Sequence, residues 1–119
     1  MKYLLLIYEN EGAMAGLSEA EQGKIYQEYM DYTSRIRKSG HYVGGEALQP
    51  VATATTVRSK NGKTLTTDGP FAETREQLGG FYLVEAKDLD EAISLAAGIP
   101  AVRTGSIEVR PIMPTPRPD

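Results

Sequence analysis

The spacing of apolar side chains along this chain predicts six strands and two helices. The first strand, Lys2 to Tyr8, is apolar in both alternation classes. Tyr3, Leu5 and Ile7 share one face, and Leu4 and Leu6 share the other. A strand apolar on both faces is covered on both faces. Residues 9–17 read as a loop. Ser18-Glu19-Ala20-Glu21 then forms a capping box, in which serine and glutamate satisfy each other's backbone donors. Behind it Ile25, Tyr29, Tyr32 and Ile36 recur at helical spacing and predict a helix over 19–39, with both tyrosines on its core stripe. Arg35, Arg37 and Lys38 suit the negative C-terminal end of that helix. Gly40 stops it in the left-handed conformation that glycine tolerates.

His41 to Leu48 reads as the second strand, interrupted by Gly44-Gly45. Thr53 to Ser59, the tight-turn signal Lys60-Asn61-Gly62, and Lys63 to Thr67 make a hairpin over 52–67. Phe81 to Ala86 is again largely apolar on both faces. Asp88-Leu89-Asp90-Glu91 caps a second helix with the stripe Leu89, Ala92, Ile93, Ala96 and Ala97, ended by Gly98 and Pro100. Ser106 to Ile112 is the last strand, with Ile107 and Val109 inward.

The fold class is therefore α+β, in the order β-α-β, hairpin, β-α-β. Without the hairpin this is the ferredoxin-like βαββαβ sandwich. In that plan the first and third core strands are central, and these are the two runs apolar on both faces. Helices cover one face only. The simplest cover for the other is a second copy, sheet against sheet, in a symmetric homodimer. Residues 1–112 read as a single domain. Residues 113–119, with Pro114, Pro116 and Pro118, read as a frayed tail.

Composition narrows the function classes. The net charge is −3, which gives no electrostatic basis for direct nucleic-acid contact or for an anionic membrane. There is no cysteine and one histidine, so thiolate chemistry, zinc ribbons and a multi-histidine metal site within one chain are excluded, and no metal ligand set is assigned. The opening apolar run is too short to span a bilayer and lacks a cleavage site, so the chain reads as cytoplasmic, with no membrane partner.

Candidate chemistry concentrates in Asp68-Gly69-Pro70-Phe71-Ala72-Glu73-Thr74-Arg75-Glu76-Gln77-Leu78-Gly79-Gly80. A connector of this length in a small domain is usually functional or disordered. Asp68 can accept hydrogen bonds from backbone groups just downstream, Gly69 can take an angle closed to other residues, and Phe71 is expected to anchor the segment in the core. As a site rim, Glu73 and Asp68 are acid/base candidates and Arg75 an anion contact. The alternative is a well-made loop whose charges pair with each other or with water. The strands bearing Gly44-Gly45 and Gly79-Gly80 would be antiparallel neighbours. Gly45 and Gly80 then border a patch of sheet without side chains, open to a ligand or to another backbone, with Asp68 and Glu46, a third acid/base candidate, near its edge. Two sheet-bending bulges are the rival reading. His41 suits proton transfer, or it is a surface or packing residue. Arg103 is an anion contact, or a solvated arginine.

At Asp68-Gly69-Pro70-Phe71 the chain resembles the DGPF-domain group within the YCII-related family. The likeness covers 2–8, 44–50, 52–58, 67–80 and 101–111. The resemblance implies a dimeric α+β barrel on the ferredoxin-like plan, in agreement with the strand argument, and supplies no established reaction. Some members occur with or fused to extracytoplasmic-function sigma factors. The wider group has been taken as enzymatic partly because of a histidine on its first helix. Here 19–39 contain none, and His41 lies beyond Gly40.

Three readings compete. One is a dimeric, cofactor-independent enzyme acting on a small polar metabolite, with Asp68, Glu46 and Glu73 as acid/base groups and Arg75, Arg103, Gly45, Gly80 and His41 at the substrate. Another is a regulatory module that associates with a sigma factor through protein contact. The last is a small-ligand binding protein without catalysis.

Overall fold

The structure is a computed structural model that describes residues 1–116. The end of the proline-rich tail, 117–119, lies outside the described residues. Among the described residues the fold is α+β, with two antiparallel sheets and three α-helices. Its elements are β1 (Lys2–Glu9), α1 (Glu11–Ala15), α2 (Glu19–Lys38), β2 (Tyr42–Ala47), β3 (Thr55–Lys60), β4 (Lys63–Asp68), β5 (Gln77–Glu85), α3 (Leu89–Ala97) and β6 (Ser106–Pro111). Short 3-10 turns occupy Val51–Thr53 and Pro100–Arg103. The main sheet runs β2-β5-β1-β6, and β3 and β4 form a separate two-stranded ribbon. The Ile112 N–H donates to the Lys2 carbonyl at 2.9 Å, which holds the chain to the sheet just before the tail.

Side-chain alternation decides what is core. Tyr3, Leu5 and Ile7 of β1 and Tyr82 and Val84 of β5 pack with Tyr32 and Ile36 of α2, Ala92 and Ala96 of α3, and Ile99 and Ala101. The opposite alternation class, Leu4, Leu6, Phe81 and Leu83, contributes nothing to this cluster and stays half-buried. α2 and α3 thus lie on one face of the sheet, and the other face is open.

The core is unusually rich in phenols, and each hydroxyl inside it has a partner. The Tyr32 hydroxyl donates to the Leu95 carbonyl at 2.6 Å, and the Tyr82 hydroxyl shares a hydrogen bond with Thr33 at 2.7 Å. The Tyr32 and Tyr82 rings meet edge-on at 5.2 Å. Arg37 lies over the Tyr42 ring at 4.4 Å, a cation–π contact that closes the sheet edge.

Three details depart from the sequence reading. Residues 9–17 are not all loop: Asn10 accepts from the Ala13 N–H at 2.9 Å and caps α1, whose helical signal Gly12 and Gly16 had masked. The strand expected from Phe81 begins at Gln77, because Gly79 and Gly80 sit inside it. Phe71 does not enter the core; it is 81% exposed. The connector lies with Tyr8 and 48–56 around a separate cleft, outside the helix-covered core. By contrast Gly40, at φ 82°, ends the α2 segment as expected, and Asn61 (φ 52°) with Gly62 (φ 78°) makes the hairpin turn. Among the described residues no helix is long and apolar enough to cross a membrane.

Burial pushes the Tyr29, Tyr32 and Tyr82 phenols above their ordinary value, with Glu9 adding to the effect at Tyr29. Native phenols that hold their protons more tightly than the unfolded chain's lend stability that is complete below the unfolded value of about 10 and falls as pH rises beyond it. The melting temperature should therefore hold level up to about pH 9 and drop above about pH 10. Tyrosinate absorbance from these three rings should appear together with unfolding. Early, non-cooperative ionisation of all seven tyrosines would contradict this.

Candidate functional site

The end of the main sheet where β1 stops and β5 begins is irregular. Ile7 pairs with Gly80 and Tyr8 with Leu78, so Gly79 is bulged out between them. The bulge turns Leu78 to the same open face as Tyr8, Leu6 and Leu4. From here the chain before β5, residues 69–76, folds back towards the base of the ribbon. Gly69, at φ 96°, makes the turn that glycine permits, and its N–H donates to the Ala54 carbonyl at 2.7 Å. Thr56 donates to the Gly69 carbonyl at 2.8 Å, and Gln77 to the Thr74 carbonyl at 2.6 Å. Asn10 donates to the Arg75 carbonyl at 3.2 Å. The Gln77 side-chain oxygen accepts from the Glu11 N–H at 2.9 Å, and the Glu11 carboxylate accepts from the Val51 N–H at 3.1 Å. Backbone and amide bonds thus hold the connector in place of apolar burial.

Between the connector, the segment 48–56 and Tyr8 lies a cleft of about 910 Å³. Its walls are mainly apolar or small, including Leu48, Val51, Leu78 and the exposed ring of Phe71. Glu73 is the ionisable carboxylate on its lining. Tyr8 and Leu78 belong to both the cleft and the open sheet face, so the two surfaces are continuous.

The other candidates lie elsewhere. Asp68 ends β4, exposed and opposite Thr55, outside the cleft lining. Glu46 is exposed on edge strand β2, opposite Phe81. The Arg75 side chain is exposed and does not line the cleft. Arg103 pairs with Glu28 at 2.7 Å beside a groove of about 220 Å³ on the helical side. His41 sits at the far end of β5. There its ring meets the Ser39 hydroxyl at 2.7 Å and the Glu91 carboxylate at 3.1 Å, joining the end of α2 to the start of α3. Of the acid/base candidates the fold brings Glu73 alone into the cleft. Among the described residues no group of three or more His, Asp or Glu side chains is placed to hold a metal ion.

Gly45 and Gly80 are brought together, as the antiparallel pairing required. Ala47 pairs with Gly80 and Gly45 with Tyr82. A Cβ on Gly45 would lie 2.8 Å from the Phe81 carbonyl oxygen, and one on Gly80 would lie 2.9 Å from that of Glu46. What these two positions admit is the neighbouring strand. Gly44 and Gly79 face open space instead, with nothing within 4 Å of such a Cβ. Residue-by-residue reading missed Tyr8, Gln49 and Thr55 as cleft residues. Their signal was present in the resemblance, whose separate stretches 2–8, 44–50, 52–58 and 67–80 meet around this one cavity.

The model of the YCII-related domain matches residues 1–116. The chain belongs to the YCII-related family. It is also 36% identical over 114 residues to an uncharacterised protein of Rhizobium meliloti (strain 1021), an alignment covering 94% of this chain and 92% of that protein. The likeness of this YCII-related protein to its relative is thus end to end and embraces the cleft, the open face and the ribbon alike.

The glycine geometry sorts four substitutions. Gly45→Ala and Gly80→Ala should each destabilise the protein by about 1–3 kcal/mol through overpacking against a backbone oxygen. Gly44→Ala and Gly79→Ala should cost well under half of that. Equilibrium denaturant unfolding of the four variants measures the split. Equal losses at all four would show that close strand approach is not what selects glycine.

Proposed function

We propose that this YCII-related protein is a homodimeric small-molecule-binding domain of the DGPF group, on a ferredoxin-like plan, with the cleft beside Phe71 as its ligand site. The observation that carries the reading is the cleft itself. Its lining, Val51 apart, comes from stretches on which the family resemblance rests, and the connector forming one wall is held by Asn10, the cap of α1, and by Thr56 of β3. A cavity of about 910 Å³ with apolar walls and few polar groups is the usual form of a site for a small organic ligand.

The open face supports the dimer. Leu4, Leu6, Phe81 and Leu83 form a contiguous apolar strip on the two central strands, and helices cover the opposite side only. A second copy against this strip would exclude water from it and, through Tyr8 and Leu78, would roof the cleft. The ribbon supports the same arrangement. Nearly all of its residues are exposed, Val57 at 63%, and an isolated two-stranded ribbon is marginal in water without a surface to pack on. The radius of gyration, 16.5 Å, exceeds the roughly 13.5 Å expected of a compact chain of this length, as a projecting arm requires.

Catalysis is a second reading with one specific support. The Glu73 carboxylate lines the cleft and has no hydrogen bond or ion pair to another described residue, so it is free to take a proton from a bound molecule. In this reading the protein works without a cofactor.

Two measurements test the proposal. Analytical ultracentrifugation should give a dimer for the native protein and a folded monomer for Leu83→Glu, which puts a charge in the strip. A monomeric native protein at high concentration would overturn the dimer. In a metabolite screen, a ligand should raise the melting temperature of the native protein by several degrees. Phe71→Ala should lose most of that rise while melting near the native temperature when ligand-free, because the ring is exposed. A Phe71→Ala protein that responds as the native one does would remove the cleft from consideration.

A further inference from the structure

The charge and the ring systems lining the cleft give it a chemical preference. Thr53, Thr56 and Thr74 all line it, and each spends its hydroxyl proton on a carbonyl of the rim: Thr53 on Pro50 at 2.7 Å, Thr56 on Gly69 at 2.8 Å and Thr74 on Glu76. These hydroxyls therefore offer an incoming molecule only lone pairs. The Gln77 amide is committed at both ends, to the Thr74 carbonyl and to the Glu11 N–H. Some backbone donors are consumed in the same way, while the Gln49 amide, the Tyr8 and Thr55 hydroxyls and the N–H groups of 71–74 carry no hydrogen bond to a described residue. The N–H groups of Leu48, Val51, Thr53 and Ala54 are bonded to Gly79, Glu11, Pro50 and Val51 respectively, and Pro50 and Pro70 have none to give. Among the described residues no lysine, arginine or histidine lines the cavity, whereas Glu73 does. Two aromatic rings, Tyr8 and Phe71, stand among the apolar walls.

We infer that the cleft selects small organic cations, an ammonium group carried on an apolar or aromatic body, and rejects anions of the same size. The inference rests on the reading of the cleft as a ligand site and adds to it the class of ligand. An anion entering here meets a carboxylate, no cationic side chain among the described residues and a protein of net charge −3. Burying it without a countercharge is costly. An ammonium meets the Glu73 carboxylate, free hydroxyl lone pairs and aromatic faces that attract cations. The anion-contact candidates Arg75 and Arg103 both lie outside the cavity lining, in keeping with this polarity.

A matched series tests it on the full-length protein near neutral pH: 2-phenylethylammonium, 2-phenylethanol and 3-phenylpropanoate, titrated by two-dimensional amide NMR. The ammonium should bind tightest, with shifts confined to residues 48–56 and 70–78, and the propanoate weakest. Glu73→Gln should shrink the advantage of the ammonium over the alcohol by about threefold to fivefold, the range of a solvent-accessible ion pair, and leave the alcohol unchanged. Added salt should shrink it likewise. Propanoate binding as tightly as the ammonium, or an advantage that survives intact in Glu73→Gln, would overturn the inference. Alcohol binding in the cleft with no preference for the cation overturns the charge selection alone. Absence of cleft shifts with all three compounds overturns the ligand site as well.

Discussion

One-sided packing of the central strands is the constraint on which the rest depends. Tyr82 and Val84 of β5, with Tyr3, Leu5 and Ile7 of β1, are buried under α2 and α3, and the same strands carry Leu4, Leu6, Phe81 and Leu83 on the reverse. A strand cannot turn one set of side chains inward without turning the other outward. Two helices are enough for one face. The apolar reverse face is thus a consequence of geometry, and it is the surface onto which the cleft opens.

The cleft exists because β5 is irregular where it enters the sheet. Had Gly79 been paired, Leu78 would have faced the helices. The bulge instead brings Leu78 beside Tyr8, and both line the cleft with residues 70–74. The connector is then tied down by Asn10, Glu11, Thr56 and Gln77. Those bonds consume part of the donors along the rim, since a hydroxyl proton given to a carbonyl is not available to a ligand.

Much of the architecture was legible before any coordinates. Capping at Ser18 and Asp88, the stop at Gly40, the Asn61-Gly62 turn and the β-α-β, hairpin, β-α-β order rest on local chemistry, which acts within a few residues and is written in the chain. The site was legible only as a region. Asp68 and Glu73 are neighbours in the same connector, yet Glu73 lines the cleft and Asp68 does not. Which side of a loop a carboxylate takes depends on bonds to residues such as Asn10 and Glu11, far away in sequence. Phe71 shows the same limit. Its apolar character pointed to burial, but the core lies on the far face of the sheet and the ring stands 81% exposed.

The chain by itself determined the elements, their order and the presence of a second apolar sheet face, because periodicity and capping are properties of neighbouring residues. It also determined that charge and composition leave no basis for thiolate or multi-histidine chemistry within one copy. Only the tertiary structure decided that 48–56, 70–78 and Tyr8 enclose one cavity, that Glu73 is the carboxylate within it, and that Gly45 and Gly80 are held to glycine by a neighbouring carbonyl. Each of these turns on a distance of a few ångströms between residues tens of positions apart, and such distances are set by sheet register and a single bulge, not by any local pattern.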